Sequence, residues 1–206
     1  MRVKTEAKRD AIVEIASQVF SESGFEGASM AEIAARVGGS KSTLYGYFSS
    51  KEELFLEVAI GAAKQHIELF FLALEQDESE LETALKTFAE KMLAVICSEP
   101  AIQAKRAFVA ESGRSDIGKR FFELGPHKGI QALGSFLEAQ MRKGLLRQAD
   151  PLTAARHFMA LMESETATPR LFGLEDNLSK VKMRQAIGRA IDVFLRGYAV
   201  DPADGA

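Results

Sequence analysis

The sequence predicts an all-α fold on three observations. Five prolines interrupt 206 residues, no stretch alternates apolar and polar residues between hairpin turn pairs, and apolar residues recur at spacings of three and four. In addition, serines stand three residues ahead of a glutamate at several helix starts, the pattern of a capping box. The first helix carries Ala11, Ile12, Ile15, Ala16, Val19 and Phe20 on one stripe and is closed by Gly24. Ser29-Met30-Ala31-Glu32 heads a short second helix that stops after Val37 at Gly38-Gly39. Ser40 caps a third short helix through Leu44 to about Tyr47. Ser50-Lys51-Glu52-Glu53 then opens a long helix with Leu54, Phe55, Val58 and Ala62, running to about Leu74.

The polar run from Glu75 to Ser79 reads as a loop, and Ser79 with Glu82 as the cap of a helix bearing Leu81, Leu85, Phe88, Met92 and Ile96 before Pro100. Further helices are expected near 101–112, 116–124, 127–143, 151–167 and 180–198, the fourth of these introduced by Asp150-Pro151. Phe158, Leu161 and Met162 give the 151–167 helix an apolar face. Met183, Ile187, Ala190, Ile191, Phe194, Leu195 and Tyr198 do the same for 180–198. Two such faces either finish the core or form a partner surface.

Lysine and arginine number 26 against 29 aspartates and glutamates, a formal charge of −3, so the chain is not basic all over. With 47% apolar and 27% charged residues it has an ordinary globular composition, and its length suffices to bury roughly 70% of the unfolded surface. The one cysteine, Cys97, makes no internal disulfide, which fits a reducing compartment, and its place on an apolar face points to the core. His66, His127 and His157 are too far apart for local metal-ligand spacing, and no metal or cofactor is expected. The charged start from Met1 to Asp10 precedes an apolar stretch broken by Glu14 and Gln18, unlike a signal peptide. The longest apolar runs are far short of the ~20 residues of a membrane helix. A cytoplasmic protein without membrane association is the expectation.

The segment from Ile33 to Phe48 carries the most specific signal and reads as a helix-turn-helix. Ala34 is small where two helices cross, Gly38 permits positive φ in the turn, and Ile33, Val37, Leu44 and Phe48 fall on the packing seam. That leaves Lys41, Ser42, Thr43, Tyr45 and Tyr47 outside it. A helix fits the DNA major groove, where short hydroxyls and a lysine can reach base edges while tyrosine hydroxyls and Lys51 meet phosphates. No acid lies between Glu32 and Glu52, whereas Arg36, Lys41 and Lys51 are basic. Ser29, Ser40 and Ser50 each head a helix whose N–H groups face outward. Gly46 costs up to about 1 kcal/mol against alanine in a helix and leaves a gap on the same face.

These residues resemble the DNA-binding domain of TetR-family transcriptional regulators over Thr5 to Phe55. The match covers Ile12 to Phe20, Gly24-Phe25, Ser29 to Ala34, Val37-Gly38, Ser42 to Tyr45, and Tyr47-Phe48 with Lys51 to Leu54. Gly39 departs from the family, which usually has an apolar residue there. The resemblance implies base contacts from the outer face of the third helix and phosphate contacts from the tyrosine–phenylalanine–lysine run. By position these are Ser42, Thr43, Tyr45, Tyr47 and Lys51, to which Ser29, Arg36 and Lys41 are added from the reading above. The run from Arg106 through Pro126 to Pro151 resembles the C-terminal domain of AefR-like members.

The expected organisation is therefore a DNA-binding domain over 1–50 and a helical effector-binding and dimerisation domain over 51–206. The second region is rich in phenylalanine and methionine; most of these belong to a core, and their adaptability also suits an apolar ligand cavity. Phe70, Phe88, Met92, Phe108, Glu111 and His127 are the candidate lining residues, with Arg106 a further polar candidate. The resemblance implies a homodimer through 151–167 and 180–198, acting on pseudo-palindromic double-stranded DNA as a repressor released by a small apolar effector. The competing reading is a helical ligand-binding protein or enzyme with a non-functional helix-turn-helix. No serine–histidine–aspartate order, glycine-rich phosphate loop or carboxylate cluster supports an enzyme.

Overall fold

A computed structural model describes residues 5–175 and 178–200. Residues 1–4 of the charged start, Pro202, and the side chain of Ala62 expected on the fourth helix lie outside the described residues. Eleven helices occur among the described residues: α1 (Glu6–Gly27), α2 (Met30–Arg36), α3 (Lys41–Tyr47), α4 (Lys51–Glu75), α5 (Leu81–Ile96), α6 (Glu99–Glu111), α7 (Ile117–Leu124), α8 (Pro126–Arg142), α9 (Pro151–Ser164), α10 (Ala167–Leu171) and α11 (Lys180–Tyr198). No strand forms among them, and an isolated antiparallel bridge joins Leu146 to Ala199. The all-α expectation holds.

Local chemistry explains most boundaries. Ser29 and Ser40 accept the N–H of the residue three further on, satisfying one of the donors that a helix start leaves free. Gly24, at φ +69°, breaks α1, and one more turn follows before Ala28 closes it with an N–H bond to Gly24 O. Ser79 does not cap α5. Its N–H donates to Asp77 Oδ1 at 2.9 Å, the helix starts at Leu81 behind Glu80, and Glu82 pairs with Lys86. The helix expected over 151–167 ends at Ser164 instead, and the short α10 follows. Pro169 stands in the first turn of α10, where its missing N–H leaves no helical bond unmade.

The chain packs as two compact units, residues up to Lys64 with Gln103–Phe122, and Gln65–Ile102 with the residues from Glu123 onward. In the first unit Ile12, Ala16 and Val19 of α1 meet Ile33 and Ala34 of α2, Leu44 of α3, and Leu54, Phe55 and Leu56 of α4. Ala104 and Phe108 of α6 and Ile117 of α7 join the same core. The first unit thus extends past residue 50 because α4 begins with buried side chains. An aromatic series runs through it, with Phe55 centroids 4.9 Å from Phe20, 4.8 Å from Phe25 and 4.9 Å from Phe108. Phe121 stacks on Phe108 at 4.3 Å. Gly118 lets α7 approach this close, since a Cβ there would lie 2.9 Å from Phe108 O and 2.5 Å from Ser112 Cβ.

In the second unit α5, α8, α9 and α11 surround Leu85, Leu93, Leu133, Leu137, Phe158, Ile191 and Phe194. The apolar stripes read from 151–167 and 180–198 face this core: Phe158, Met162, Ile187, Ile191, Phe194 and Tyr198 are all buried within the chain itself. These stripes are therefore not free to meet a partner. Arg170, nearly buried, donates to Glu99 Oε2 at 2.8 Å, and His157 Nδ1 lies 2.7 Å from Tyr198 Oη.

Candidate nucleic-acid interface

The turn between α2 and α3 is built by Gly38 at φ +69°, a left-handed conformation that a side chain would strain, and by its N–H bond to Ala35 O. Gly39 has room around it, with no atom within 4 Å of where a Cβ would stand. Leu44 and Phe48 anchor α3 inward at 2% exposure each, which turns the other faces of a seven-residue helix out. Lys41, Ser42, Tyr45 and Gly46 are exposed. The Lys41 ammonium lies 5.8 Å from the Tyr45 ring centroid, so the two form one cationic–aromatic surface.

The other candidates are more engaged. Thr43 is half-buried, its hydroxyl 2.8 Å from Ser40 Oγ and its N–H bonded to the same oxygen. The Tyr47 hydroxyl accepts the Thr5 backbone N–H at 3.1 Å and keeps its own proton to donate. Ser29 is exposed and caps α2 through Glu32 N–H. Arg36 is exposed but bridges Glu22 at 2.7 Å and Glu32 at 2.8 Å, and the Glu22 hydrogen bond above all raises its pKa further. Its charge is thereby matched within the unit. Lys51 is half-buried: Nζ donates to Phe25 O at 2.8 Å and Ala28 O at 3.3 Å, 4.3 Å from the Phe25 ring centroid.

Several ties escaped sequence reasoning. Lys8 Nζ donates to Val37 O at 3.1 Å, and Arg9 bonds Glu57 at 2.9 Å while lying 5.2 Å from the Phe48 centroid. These partners are 29 and 48 residues away, and no periodic signal announces them. At the head of α4, Glu53 accepts the N–H and hydroxyl of Ser49, which hold its pKa below the usual carboxylate value despite some burial.

The ligand candidates fall in both units. Phe108 and Glu111 belong to the first unit, where Phe108 is in the core and Glu111 pairs with Arg114 at 3.3 Å. Phe70, Phe88, Met92 and His127 belong to the second. Phe70 and Phe88 line a cavity of about 10 Å³ with Leu74, Thr87 and Lys91. Met92 is buried in the core there, and His127 is half-buried in the first turn of α8.

Capped α2 and α3 joined by a glycine turn, with α3 facing outward from the first unit, define a helix-turn-helix protein. Residues 12–58 match the family model described as bacterial regulatory proteins, tetR family, and residues 83–200 match that of the AefR-like transcriptional repressor C-terminal domain. The chain belongs to the TetR family. It is 26% identical to a TetR-family transcriptional regulator of Mesorhizobium loti over 97% of this chain and 100% of that one, with a TM-score of 0.85. The flavonoid-responsive regulator FrrA is 31% identical over 95% of this chain and 98% of that one, with a TM-score of 0.70. The HTH-type transcriptional regulator RutR of Escherichia coli strain K12 is 33% identical over 107 residues, 51% of this chain and 48% of that protein. The chain thus spans about half the length of that curated relative, and 26% of the HTH-type transcriptional activator FasR of Mycolicibacterium smegmatis. No helix among the described residues is long and apolar enough to cross a membrane.

Proposed function

We propose that the chain is a DNA-binding transcriptional regulator rather than an enzyme, a homodimeric repressor that a small apolar effector releases from a pseudo-palindromic operator. The observation that carries this is the outward face of α3, where Lys41, Ser42 and Tyr45 stand exposed on a helix fixed from behind by Leu44 and Phe48. Side chains of this kind read base edges and phosphates from the major groove, with Thr43 and Tyr47 at the margins of the same face. The AefR-like repressor match supports repression, and the similarity to the flavonoid-responsive regulator FrrA supports response to a small molecule.

One short reading helix makes few contacts, so two copies on two half-sites are physically expected. Two exposed apolar side chains, Val181 and Val193, lie on α11, where a second copy could cover them. The proposed seam is the outer faces of helices 151–167 and 180–198. An effector of the size small-molecule sites hold, roughly 300 Å³ or more, does not fit the cavity beside Phe70 and Phe88 without parting α4 from α5. For an effector that enters beside Phe70 and Phe88, binding and a change of shape would be one event, as release from DNA requires.

Selection of duplexes from a random-sequence pool by the full chain tests the reading. Enrichment of a two-fold symmetric sequence, bound in a salt-dependent manner, is expected; no enrichment and no affinity at low salt would favour the helical ligand-binding alternative. Thermal-shift screening of apolar compounds against the same protein, followed by duplex release, tests the effector half.

A further inference from the structure

The segments on either side of α3 each carry an ammonium group that terminates on backbone carbonyls of neighbouring elements. At its entry Lys8 Nζ donates to Val37 O at 3.1 Å, the carbonyl of the residue that closes α2 and leads into the glycine turn. Beyond its exit Lys51, the first residue of α4, donates to Phe25 O at 2.8 Å and Ala28 O at 3.3 Å, across the junction of α1 and α2. Thr5 N–H adds a third tie to Tyr47 Oη in the last turn of α3. Both lysines are half-buried.

The physics favours this use of the charges. Carbonyls at helix ends have no helical donor and carry the negative end of the dipole, so a cation satisfies both needs. The same dipole disfavours a lysine at the first residue of α4. Its position gains an electrostatic reason through the carbonyls and the Phe25 ring that it reaches. Lys51 commits two of its three ammonium donors to these carbonyls, which hold Nζ against the junction of α1 and α2.

We infer that Lys8 and Lys51 are positioning residues, which fix where α3 enters and leaves the unit and so govern discrimination between DNA sequences rather than the salt-dependent attraction to phosphate. This rests on the DNA-binding reading above, and it sets Lys51 apart from the phosphate role that family resemblance implies. A lysine that neutralises a phosphate steepens the fall of binding with salt by about 0.9 in log–log slope. One that orients a reading helix leaves the slope alone and changes the ratio of specific to non-specific affinity.

The full chain, wild type and with Lys8→Met, Lys51→Met, Lys51→Arg or Lys41→Met, is titrated at several salt concentrations. The probes are the duplex that the wild type selects from a random pool and a shuffled duplex of equal length. Lys8→Met and Lys51→Met are expected to lower the selected-to-shuffled ratio about tenfold or more, the loss of a base contact set out of register, at unchanged slope. Lys51→Arg should restore most of the ratio, and Lys41→Met should lower the slope. Equal loss on both duplexes with a slope shallower by about 0.9 per subunit would overturn the inference, as would an unchanged ratio. Lysine ammonium resonances of the wild type give a readout independent of how the variants fold. Signals of Lys8 and Lys51 that stay in place when the selected duplex is added support the inference, and their shift to phosphate-bound positions overturns it. If the wild type selects no duplex, the DNA-binding reading falls as well; if it does, only this inference is at stake.

Discussion

At the scale of single residues, capping was legible because it is local. Ser29, Ser40 and Ser50 each bind an N–H three residues on, as their spacing announced. The reciprocal half was less legible: Glu32 turns to Arg36, and Glu53 reaches Ser49 rather than Ser50, since a glutamate has several partners within reach. Gly38 was readable from the turn, and its φ of +69° predicts a loss of about 1–2 kcal/mol for Gly38→Ala. Gly39→Ala should be close to neutral, as nothing occupies the space, and urea unfolding of both variants checks the contrast. Gly46 has no neighbour within 4 Å of where a Cβ would stand, so packing inside the chain does not require it. Gly46→Ala is expected to raise stability by up to about 1 kcal/mol while weakening duplex binding, because the added methyl projects from the exposed face of α3. A gain in melting temperature without any change in duplex affinity would separate Gly46 from the reading surface.

At the scale of elements, periodicity located nearly every helix, and what it missed depends on contacts distant in sequence. The segment 103–122 looks like any amphipathic stretch, yet it packs into the first unit through Phe108, Ile117 and Phe121. Phe108, 2% exposed between Phe55 and Phe121, should cost about 3–5 kcal/mol when replaced by alanine, read as a loss of stability in denaturant. The head of α4 carries a pH dependence of definite sign. The Ser49 hydroxyl and N–H hold the Glu53 pKa below its unfolded value, with Arg120 at 4.0 Å adding to this. A depressed folded-state pKa contributes stability that is present above the unfolded carboxylate value, about 4.3, and fades as pH falls through the folded value. Glu53→Gln should therefore flatten the decline of melting temperature over roughly pH 5 to 3, where a carboxylate of this kind takes up its proton.

At the scale of the whole chain, the net charge of −3 is an average over unlike regions. Residues 36–51 contain Arg36, Lys41 and Lys51 and no acid, a local +3. Arg36 is matched by Glu22 and Glu32, however, and Lys51 is directed inward. Attraction to a polyanion is thus modest for one reading helix, and doubling it by dimerisation has a clear physical benefit. The sequence left open whether the stripes of the last two long helices finish the core or meet a partner, because the two cases have the same periodicity; burial of Phe158, Ile191 and Phe194 assigns them to the core. Val181 and Val193, 66% and 54% exposed, are the side chains on α11 that test the proposed seam. Placed on the surface of a single chain, Val181→Glu and Val193→Glu together should leave the melting temperature of the monomer nearly unchanged. At the seam they desolvate two carboxylates beside their symmetry mates, so sedimentation at micromolar concentration should show a monomer. Duplex affinity should then fall by roughly 100-fold or more, as the second half-site is lost, with the salt slope halved. A dimer that survives both changes would move the seam away from this face of α11.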